Sequence, residues 1–453
     1  MTHRLTWFEK LSFSLAGMGQ NIIYNFMVSL VLFYYTDVAL ISAGTAGLIM
    51  LVSRIWDAIN DPIMGLIADR THTKIGKLRP YLLAVPVPIA ILTVLAFAVP
   101  DWGVTEKALF ALVTFNLWSM TYTVSDIPFW GLSVAITDNP QERLGLVTMV
   151  RIFCNIGMAI GILVPPILIG LLGGSTTVVE GITRADNANA YLWTALIIGT
   201  VGSLLFLMAG LFNKERVIAP AGQSPKFSIL LKNKPLLILQ LSRVLGAFRM
   251  VIATVGLYFA NKNLNDPAQY TILGGVLIAS MIISMFFAPA LIKRFGKKWT
   301  YIYAQGLGFI AHLALFVVGY GQLLVLFGLL FLAGVSLGIS DVVTYSLTGD
   351  TVDYLEHRTG QRAEGLVFSL NTFSTKLQSA LGLWFIGIVL AVVGYQPEAA
   401  IQTDLAYQGI FALLSLFPAV ACVLSVIPMF FFNFTEKEHA RILDDLHHQK
   451  QGT

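Results

Sequence analysis

The amino-acid sequence predicts an all-α membrane protein with many membrane-spanning helices. Mean hydropathy is +0.75 over 453 residues. Charged residues make up only 12% of the chain, whereas a soluble domain carries about 25%. Twelve apolar stretches, each long enough to cross a bilayer as a helix, follow one another along the chain. Together these observations leave little room for a soluble protein.

The apolar stretches divide into six, a polar connection, and six more. The predicted spans are 11–36, 43–68, 81–99, 107–135, 146–171, 190–212, 236–261, 270–292, 300–319, 322–347, 366–393 and 405–433. The polar connection carries five cations and three prolines and is too short and too polar to form a domain. We therefore expect an N-terminal half over 1–212, a linker over 213–235, a C-terminal half over 236–434 and a tail over 435–453.

Lysine and arginine residues favour one side of the predicted membrane. Most of them lie in the loops on the side of the two termini, which contain the five linker cations and Arg70, Lys74, Lys77, Arg79, Arg143, Lys293, Arg294, Lys297, Lys298, Arg358 and Arg362. The opposite loops carry only Lys107, Arg184 and Lys262. The basic side is then cytoplasmic, with both termini inside. We interpret the basic clusters as topology markers and contacts of lipid headgroups, and nothing indicates a nucleic-acid partner.

The second predicted span contains three charged residues, Arg54, Asp57 and Asp61. A charge near the bilayer centre costs about 3 kcal/mol on insertion scales. On a helix, Asp57 and Asp61 lie one turn apart on one face, with Arg54 one turn before them. Such a cluster is retained where it faces a cavity, a partner or an ion. We therefore interpret this stretch as a functional site.

The fourth predicted span carries a carboxylate between aromatic side chains. Tyr122 and Trp130 are each four residues from Asp126, so the three share a helix face. Pro128 interrupts the helical hydrogen bonds nearby. A carboxylate beside an indole ring suits a sugar, because it accepts hydroxyl hydrogen bonds while the ring covers an apolar sugar face. The alternative is an aromatic packing face with a carboxylate paired to an arginine.

Other charges lie within predicted spans, and Arg151 and Lys376 are the strongest candidates among them. Arg151 lies close enough to a helix end to reach the interface instead. Arg249 and Asp341 offer a structural ion pair, but neither they nor Arg243 receives a role from the sequence.

No motif in the sequence indicates an enzyme active site. We find no phosphate-binding loop, no metal-ligand spacing and no nucleophile with a histidine partner. The two cysteines lie in apolar stretches and indicate neither a disulfide framework nor a metal site. The sequence therefore predicts neither an enzyme nor a bound cofactor.

Basic loops occupy the same place in the two halves. One follows the second span with Lys74-Ile75-Gly76-Lys77, and the other follows the eighth with Phe295-Gly296-Lys297-Lys298. Two six-helix halves related by such a repeat resemble the major facilitator superfamily. That resemblance implies two six-helix halves that alternate access to a site near the membrane midplane.

Three longer motifs identify a family within that superfamily. The segments 56–62 (WDAINDP), 121–130 (TYTVSDIPFW) and 350–354 (DTVDY) resemble the glycoside-pentoside-hexuronide:cation symporters. The resemblance extends from about Leu11 to Phe434. It implies the import of a sugar or glycoside together with a cation, and it implies specific residue roles.

The cation site implied by the resemblance comprises Asp57 and Asp61, which would be the Na⁺ ligands in a sodium-coupled protein, with Asn60 and Thr123. Lys376 matches a residue that takes part in coupling. We add Arg54 to the coupling residues because it lies one turn before Asp57.

The substrate positions implied by the resemblance are Asp126, Trp130 and Arg151, and we add Tyr122 from its shared face. One position departs from the family pattern. Where the melibiose carriers of the family have lysine-aspartate in the first span, this chain has Gln20-Asn21, similar to carriers of glucuronides. Both residues join the predicted substrate site, and an acidic sugar becomes an alternative substrate.

The function expected from the sequence is cation-coupled sugar import by a multi-pass protein of the cell membrane, working as a monomer. Asn60 and Thr123 supply oxygen atoms beside the two acids, which favours Na⁺, while H⁺ and Li⁺ stay open. The alternatives are a hexuronide symporter, a lysophospholipid carrier and a transporter-like sensor. The short tail and linker offer no effector segment for a sensor, and the polar span residues suit a compact solute better than a lipid.

Overall fold

The computed structural model describes residues 4–41, 43–173, 176–179, 182–185, 188–217, 226–266, 269–395 and 401–451. The chain forms two compact units. The first contains Met1–Phe227 and Ala363–Ser369, and the second contains Ser228–Arg362 and Leu370–Thr453. Each unit is described separately.

The first unit is built from seven helices and one hairpin within its described residues. The helices are α1 (Trp7–Phe33, extended by a π-helical turn over Tyr34–Val38), α2 (Ala43–Arg70), α3 (Arg79–Ala84), α4 (Pro86–Ala96), α5 (Val104–Ala135), α6 (Pro140–Leu171) and α7 (Ala188–Phe212). The strands β1 (Thr176–Val179) and β2 (Ile182–Ala185) pair antiparallel, with Thr176 opposite Ala185. The hairpin lies where the sequence predicted a loop.

The second unit begins within a 3-10 segment, Phe227–Lys232, of which Phe227 belongs to the first unit. Its helices are α8 (Lys234–Leu245, followed by a 3-10 turn over Ala247–Val251), α9 (Ile252–Tyr258, followed by a π-helical turn over Phe259–Asn263), α10 (Gln269–Phe295), α11 (Lys297–Val318), α12 (Leu323–Thr359), α13 (Glu364–Val392), α14 (Asp404–Leu414), α15 (Leu416–Phe430) and α16 (Glu436–Gln451). The first residues of α13 belong to the first unit and the remainder to the second.

Each of the twelve predicted spans falls on one helix or on consecutive helices. The third divides at Val85, where Pro86 starts α4, because proline fits the first turn of a helix but not its interior. The twelfth divides at Ser415. Within the described residues, eight helical stretches are long and apolar enough to cross a membrane.

The same helix pairings recur in the two units. In the first unit, α2 packs on α5, α1 on α7, and α4 on both α5 and α7. In the second, α10 packs on α12, α8 on α15, and α11 on both α12 and α15. Counted by predicted spans, these four pairings join the same members of each half, which supports the internal repeat indicated by the basic loops.

Several loop cations are buried in ion pairs. Lys77 Nζ lies 2.8 Å from Asp69 and 2.5 Å from Glu364. Asp69 also accepts the backbone N–H groups of Gly365 and Leu366, which satisfies donors at the start of α13. Burial lowers the pKa of Lys77, but the charges of Glu364 and Asp69 outweigh it and raise that pKa above its ordinary value.

A second buried network lies at one end of α12. Arg362 contacts Asp353 at 2.9 Å and Glu356 at 2.6 Å, and Lys297 pairs with Asp350. The prediction of lipid-headgroup contacts is therefore wrong for Lys77, Lys297 and Arg362. Local sequence cannot show which loop cations meet a buried acid from a distant helix.

The predicted polar tail forms α16 and docks on the second unit. Its His439 is buried, with Nε2 3.0 Å from Asp353. Glu436 accepts the N–H of Lys297, and Asp445 contacts His357 at 3.2 Å. The tail is thus part of the fold.

The predicted linker, 213–235, is attached to the first unit at its start. Glu215 accepts the backbone N–H groups of Lys77, Leu78 and Arg79, which satisfies donors at the N-terminus of α3. Arg216 pairs with Glu9. Residues 218–225 lie outside the described residues.

Candidate cation and substrate site

Helix α5 carries the candidate site on two overlapping faces. Ser119 and Thr123 lie one turn apart on the first face. Tyr122, Asp126 and Trp130 follow one another on the second face, whose mean direction is about 40° around the helix from that of the first. Asp126, Trp130, Ser119 and Thr123 are all buried. One rigid helix therefore positions both groups of side chains.

The first face of α5 meets the two acids of α2. Ser119 Oγ donates to Asp57, and Thr123 Oγ1 donates to Asp61 Oδ1 at 2.9 Å. Thr123 is four residues after Ser119 on α5, and its partner Asp61 is four residues after Asp57 on α2. The two helices therefore run in the same direction at this contact. Asp57 is 4% exposed and Asp61 is fully buried.

Two buried carboxylates one turn apart are costly, because each loses hydration and each repels the other. The two hydroxyl donors offset part of this cost. Asn60, adjacent to Asp61, has a buried side-chain Nδ2 with no hydrogen-bond partner among the described residues. In the described part of the chain, no group of three or more His, Cys, Asp or Glu side chains could hold a metal ion. Two acids with hydroxyl neighbours suit an alkali cation or a proton, which need fewer charged ligands.

The second face of α5 meets Gln20 of α1. Gln20 Nε2 donates to Ser125 Oγ at 3.0 Å and to Asp126 Oδ1 at 3.3 Å. Its Oε1 is buried without a hydrogen-bond partner among the described residues. The amide of Asn21 instead donates to Gly17 O within α1. Gln20, more than Asn21, therefore belongs to the environment of Asp126.

Arg151 and Trp130 form the other side of the candidate substrate site. The guanidinium carbon of Arg151, on α6, lies 5.6 Å from the centre of the Trp130 ring, within range of a cation–π interaction. Arg151 therefore lies against the site residue predicted with it. Asp126 is one helical turn before Trp130, so the Asp126 carboxylate and the Arg151 guanidinium both border the Trp130 ring.

Tyr122 packs in an aromatic group. Its ring centre lies 5.6 Å from Trp118 and 4.8 Å from Tyr24, and Trp118 Nε1 donates to Thr93. These contacts agree with the aromatic packing that the sequence raised as an alternative, and the substrate role of Tyr122 stays a prediction. The side chain supports the position of α5 beside the site.

The predicted coupling residues are less defined. Lys376 is a half-buried residue of α13 in the second unit. The side chain of Arg54 lies outside the described residues. Arg243 donates to Asn371 and to Thr375 Oγ1, and Arg249 Nε donates to Gly246 O at 3.2 Å. The coupling roles of Lys376 and Arg54 stay predictions.

Ser119 is the site residue that sequence reasoning missed. Serine carries no charge, and it is common where helices pack closely in membranes. A signal was present, because Ser119 and Thr123 repeat the four-residue spacing of Asp57 and Asp61.

The family model for MFS/sugar transport proteins matches residues 12–436. The chain belongs to this family. An uncharacterized symporter of Bacillus subtilis, YjmB, is 33% identical, with 98% of this chain and 96% of the relative covered. A glucuronide carrier protein homolog of Escherichia coli is 28% identical over 100% and 98% of the two chains. An isoprimeverose transporter of Lactiplantibacillus pentosus is 29% identical over 97% and 91%.

A solved structure shares the fold. The crystal structure of a bacterial homologue of the iron transporter ferroportin in an outward-facing state superposes with a TM-score of 0.66 at 15% identity, covering 94% of this chain and 98% of that one. The predicted fold class, an all-α membrane protein of the major facilitator superfamily, is confirmed, as is the resemblance to the glycoside-pentoside-hexuronide:cation symporters. The protein is a transporter and not an enzyme.

Proposed function

We propose that the protein imports a sugar or glycoside together with a cation, by alternating access between its two halves. The observation that carries this proposal is the arrangement of α5. One face holds hydroxyls on the buried acids of α2, and a second face, which overlaps the first, holds Asp126 and Trp130 beside Gln20.

In this proposal, Na⁺ binds between Asp57 and Asp61. The ion removes the repulsion between the carboxylates, and the oxygens of Ser119 and Thr123 complete its coordination. Na⁺ fits because the site offers hydroxyl oxygens as well as acids. A proton on one carboxylate would remove the same repulsion, so H⁺ is the alternative coupling ion, and Li⁺ could occupy the same oxygens.

The sugar binds on the second face of α5. Asp126 accepts hydrogen bonds from sugar hydroxyls, and Gln20 Oε1 supplies another acceptor from α1. Trp130 offers its ring to an apolar face of the sugar. Arg151 lies over the same ring and donates to ring or glycosidic oxygens.

Coupling follows from the shared helix. Thr123 is adjacent to Tyr122 and less than one turn from Asp126, so a small shift of α5 on ion binding reaches the sugar side chains directly. By thermodynamic linkage, a sugar that binds better with the ion must raise ion affinity by the same factor. Lys376 and Arg54 act in this coupling in the proposal.

An acidic sugar is a second candidate substrate. Arg151 supplies a fixed positive charge against Trp130, and the amide of Gln20 beside Asp126 adds no further negative charge. One relative is named for glucuronide and another for isoprimeverose, so an acidic and a neutral sugar both occur in the names of similar proteins.

The remaining elements of the proposal concern the protein in the cell. The two halves, 1–212 and 236–434, move about the site while the linker 213–235 and the tail stay in the cytoplasm. Both termini face the cytoplasm of the cell that carries the protein in its inner or plasma membrane. One chain contains both candidate sites within its first unit, which supports function as a monomer.

The experiment is ligand-induced thermal stabilisation of the purified protein. Galactosides, glucosides, pentosides and hexuronides are tested in Na⁺, Li⁺ or K⁺ at two pH values. A sugar that stabilises only in Na⁺ would identify substrate and ion together, whereas one that depends on pH alone would indicate H⁺. Stabilisation by no sugar under any condition would contradict the proposal.

Arg151 separates the two substrate classes. For an acidic sugar, Arg151→Gln should abolish the preference for a glucuronide over the matching neutral glucoside. For a neutral sugar, the same change should weaken both ligands alike.

A further inference from the structure

An apolar groove opens on the outside of the second unit, between α10, α11 and α12. Its walls include Leu291, Phe295, Tyr303, Leu307 and Ile339, and its volume is about 150 Å³. Tyr303 is 54% exposed and Phe295 39%, so the groove is accessible from the surroundings of the helices. Pockets that hold a whole small molecule measure about 300–1,000 Å³. This groove therefore fits a segment of a flexible apolar chain.

A basic side chain lies at the end of the groove. Lys293 and Arg294 are exposed residues of the last turn of α10, and Lys293 points away from the face of α10 that carries Leu291 and Phe295. The guanidinium carbon of Arg294 lies 5.2 Å from the ring centre of Phe295, a residue of the groove wall. Neither cation has an ion-pair partner among the residues that the structure describes.

The next two cations of the same loop are already engaged. Lys297 pairs with Asp350, and Lys298 Nζ donates to Phe430 O at 3.2 Å. The nearby acid Glu436 accepts the N–H of Lys297. Arg294 is therefore the cation of this loop that is exposed next to the groove wall and has no ion-pair partner among the described residues.

Exposed aromatic rings mark the depth of the groove in the membrane. Trp299 is 47% exposed, and its ring centre lies 5.9 Å from that of Tyr303. Trp and Tyr rings concentrate at the level of lipid headgroups. The end of the groove that carries Arg294 thus lies where headgroups lie, and the rest extends toward the acyl chains.

We propose that this groove is a binding site for an anionic phospholipid. Part of one acyl chain lies between Leu291, Leu307 and Ile339. The phosphate lies against Arg294, consistent with basic pockets between membrane helices that select anionic headgroups. This site is independent of the sugar and cation site, and its test does not depend on transport.

The test is native mass spectrometry of the purified protein with phosphatidylglycerol or phosphatidylcholine of identical chains. Phosphatidylglycerol should bind more tightly. A cation near an anionic headgroup contributes about 1 kcal/mol, so Arg294→Ala should weaken phosphatidylglycerol about fivefold and leave phosphatidylcholine unchanged. The matched control is Arg441→Ala, an exposed arginine of α16, which should change neither lipid.

The chain-binding part of the site is tested by filling the groove. Leu307→Trp should reduce binding of phosphatidylglycerol, while glycerophosphoglycerol, the same headgroup without chains, should compete poorly. The proposal is overturned by equal binding of the two lipids, by an Arg294→Ala variant that binds as the wild type does, by full competition from the soluble headgroup, or by no effect of Leu307→Trp.

Discussion

Replacing Thr123 by valine tests the contact between α5 and α2 with little change in side-chain shape. The Thr123 hydroxyl donates to Asp61 Oδ1 at 2.9 Å, and both residues are buried. Valine removes the hydroxyl and its oxygen while the branched side chain keeps its volume. The change therefore acts on the polar contact more than on packing.

The size of the effect follows from two opposing terms. Losing a partner of a buried polar group costs about 1–3 kcal/mol, which corresponds to about 5- to 150-fold in affinity. The hydroxyl also stabilises the ion-free carboxylate by hydrogen bonding, and its removal destabilises that state. The two terms partly cancel, so we expect Na⁺ affinity to fall about fivefold, at the low end of this range.

The assay is the Na⁺ concentration for half-maximal sugar uptake into proteoliposomes. Thr123→Ser keeps the hydroxyl and should retain most of the affinity. Thr121→Val is the matched control on the same helix, because the Thr121 hydroxyl donates to Leu117 O and not to an acid.

The same variant distinguishes the coupling ions. A proton needs no additional oxygen ligand, and a carboxylate that loses a donor holds its proton more tightly. An H⁺-coupled protein would therefore shift its half-maximal uptake to higher pH in Thr123→Val. A Thr123→Val variant whose uptake depends on Na⁺ concentration and on pH as that of the wild type does would refute the assignment of Thr123 to the ion site.

Three further predictions concern the sugar site and the two buried ion clusters. Trp130→Ala should weaken sugar affinity about tenfold with little change in Na⁺ affinity, measured by calorimetry, from the loss of an aromatic contact of about 1.4 kcal/mol. Lys77→Met leaves two buried carboxylates without their shared cation and should cost about 3–5 kcal/mol of stability. The pKa of Lys77 is raised above its ordinary value of about 10.4, so the stabilisation by Lys77 is complete below that value and is lost only at higher pH. In the variant, the two carboxylates repel each other and one of them binds a proton more readily as the pH falls, so the melting-temperature deficit should be full at pH 9 and smaller at pH 6. His439→Ala should cost about 1–3 kcal/mol and expose the tail to proteolysis, whereas the exposed His448→Ala should not.

The charged residues of the candidate site could be identified from the sequence. Asp57, Asp61 and Asp126 are visible because charges in apolar stretches are costly and therefore informative. Thr123 followed from the family resemblance. Ser119 and the contact of Gln20 with Asp126 needed the structure, since neutral polar side chains carry no such signal and their partners lie on helices distant in sequence.

The fold shows the same difference between features visible in the local sequence and features that depend on contacts between distant residues. The spans could be predicted from the apolar stretches, because a helix that crosses the bilayer must match the thickness of its hydrophobic core. The docked tail helix was missed, since its contacts depend on one buried histidine, His439, and on acids about 90 residues away. The burial of Lys77 was missed for the same reason, as Glu364 lies 287 residues along the chain.

The central claim is that the paired acids of α2 couple the ion gradient to sugar movement. The most direct measurement is Na⁺- or H⁺-driven accumulation of the identified sugar in proteoliposomes, for the wild type and for the Asp57→Asn, Asp61→Asn double variant. The account predicts that the wild type concentrates the sugar and that the double variant at most equilibrates it. Accumulation by the double variant to the wild-type level would contradict the account.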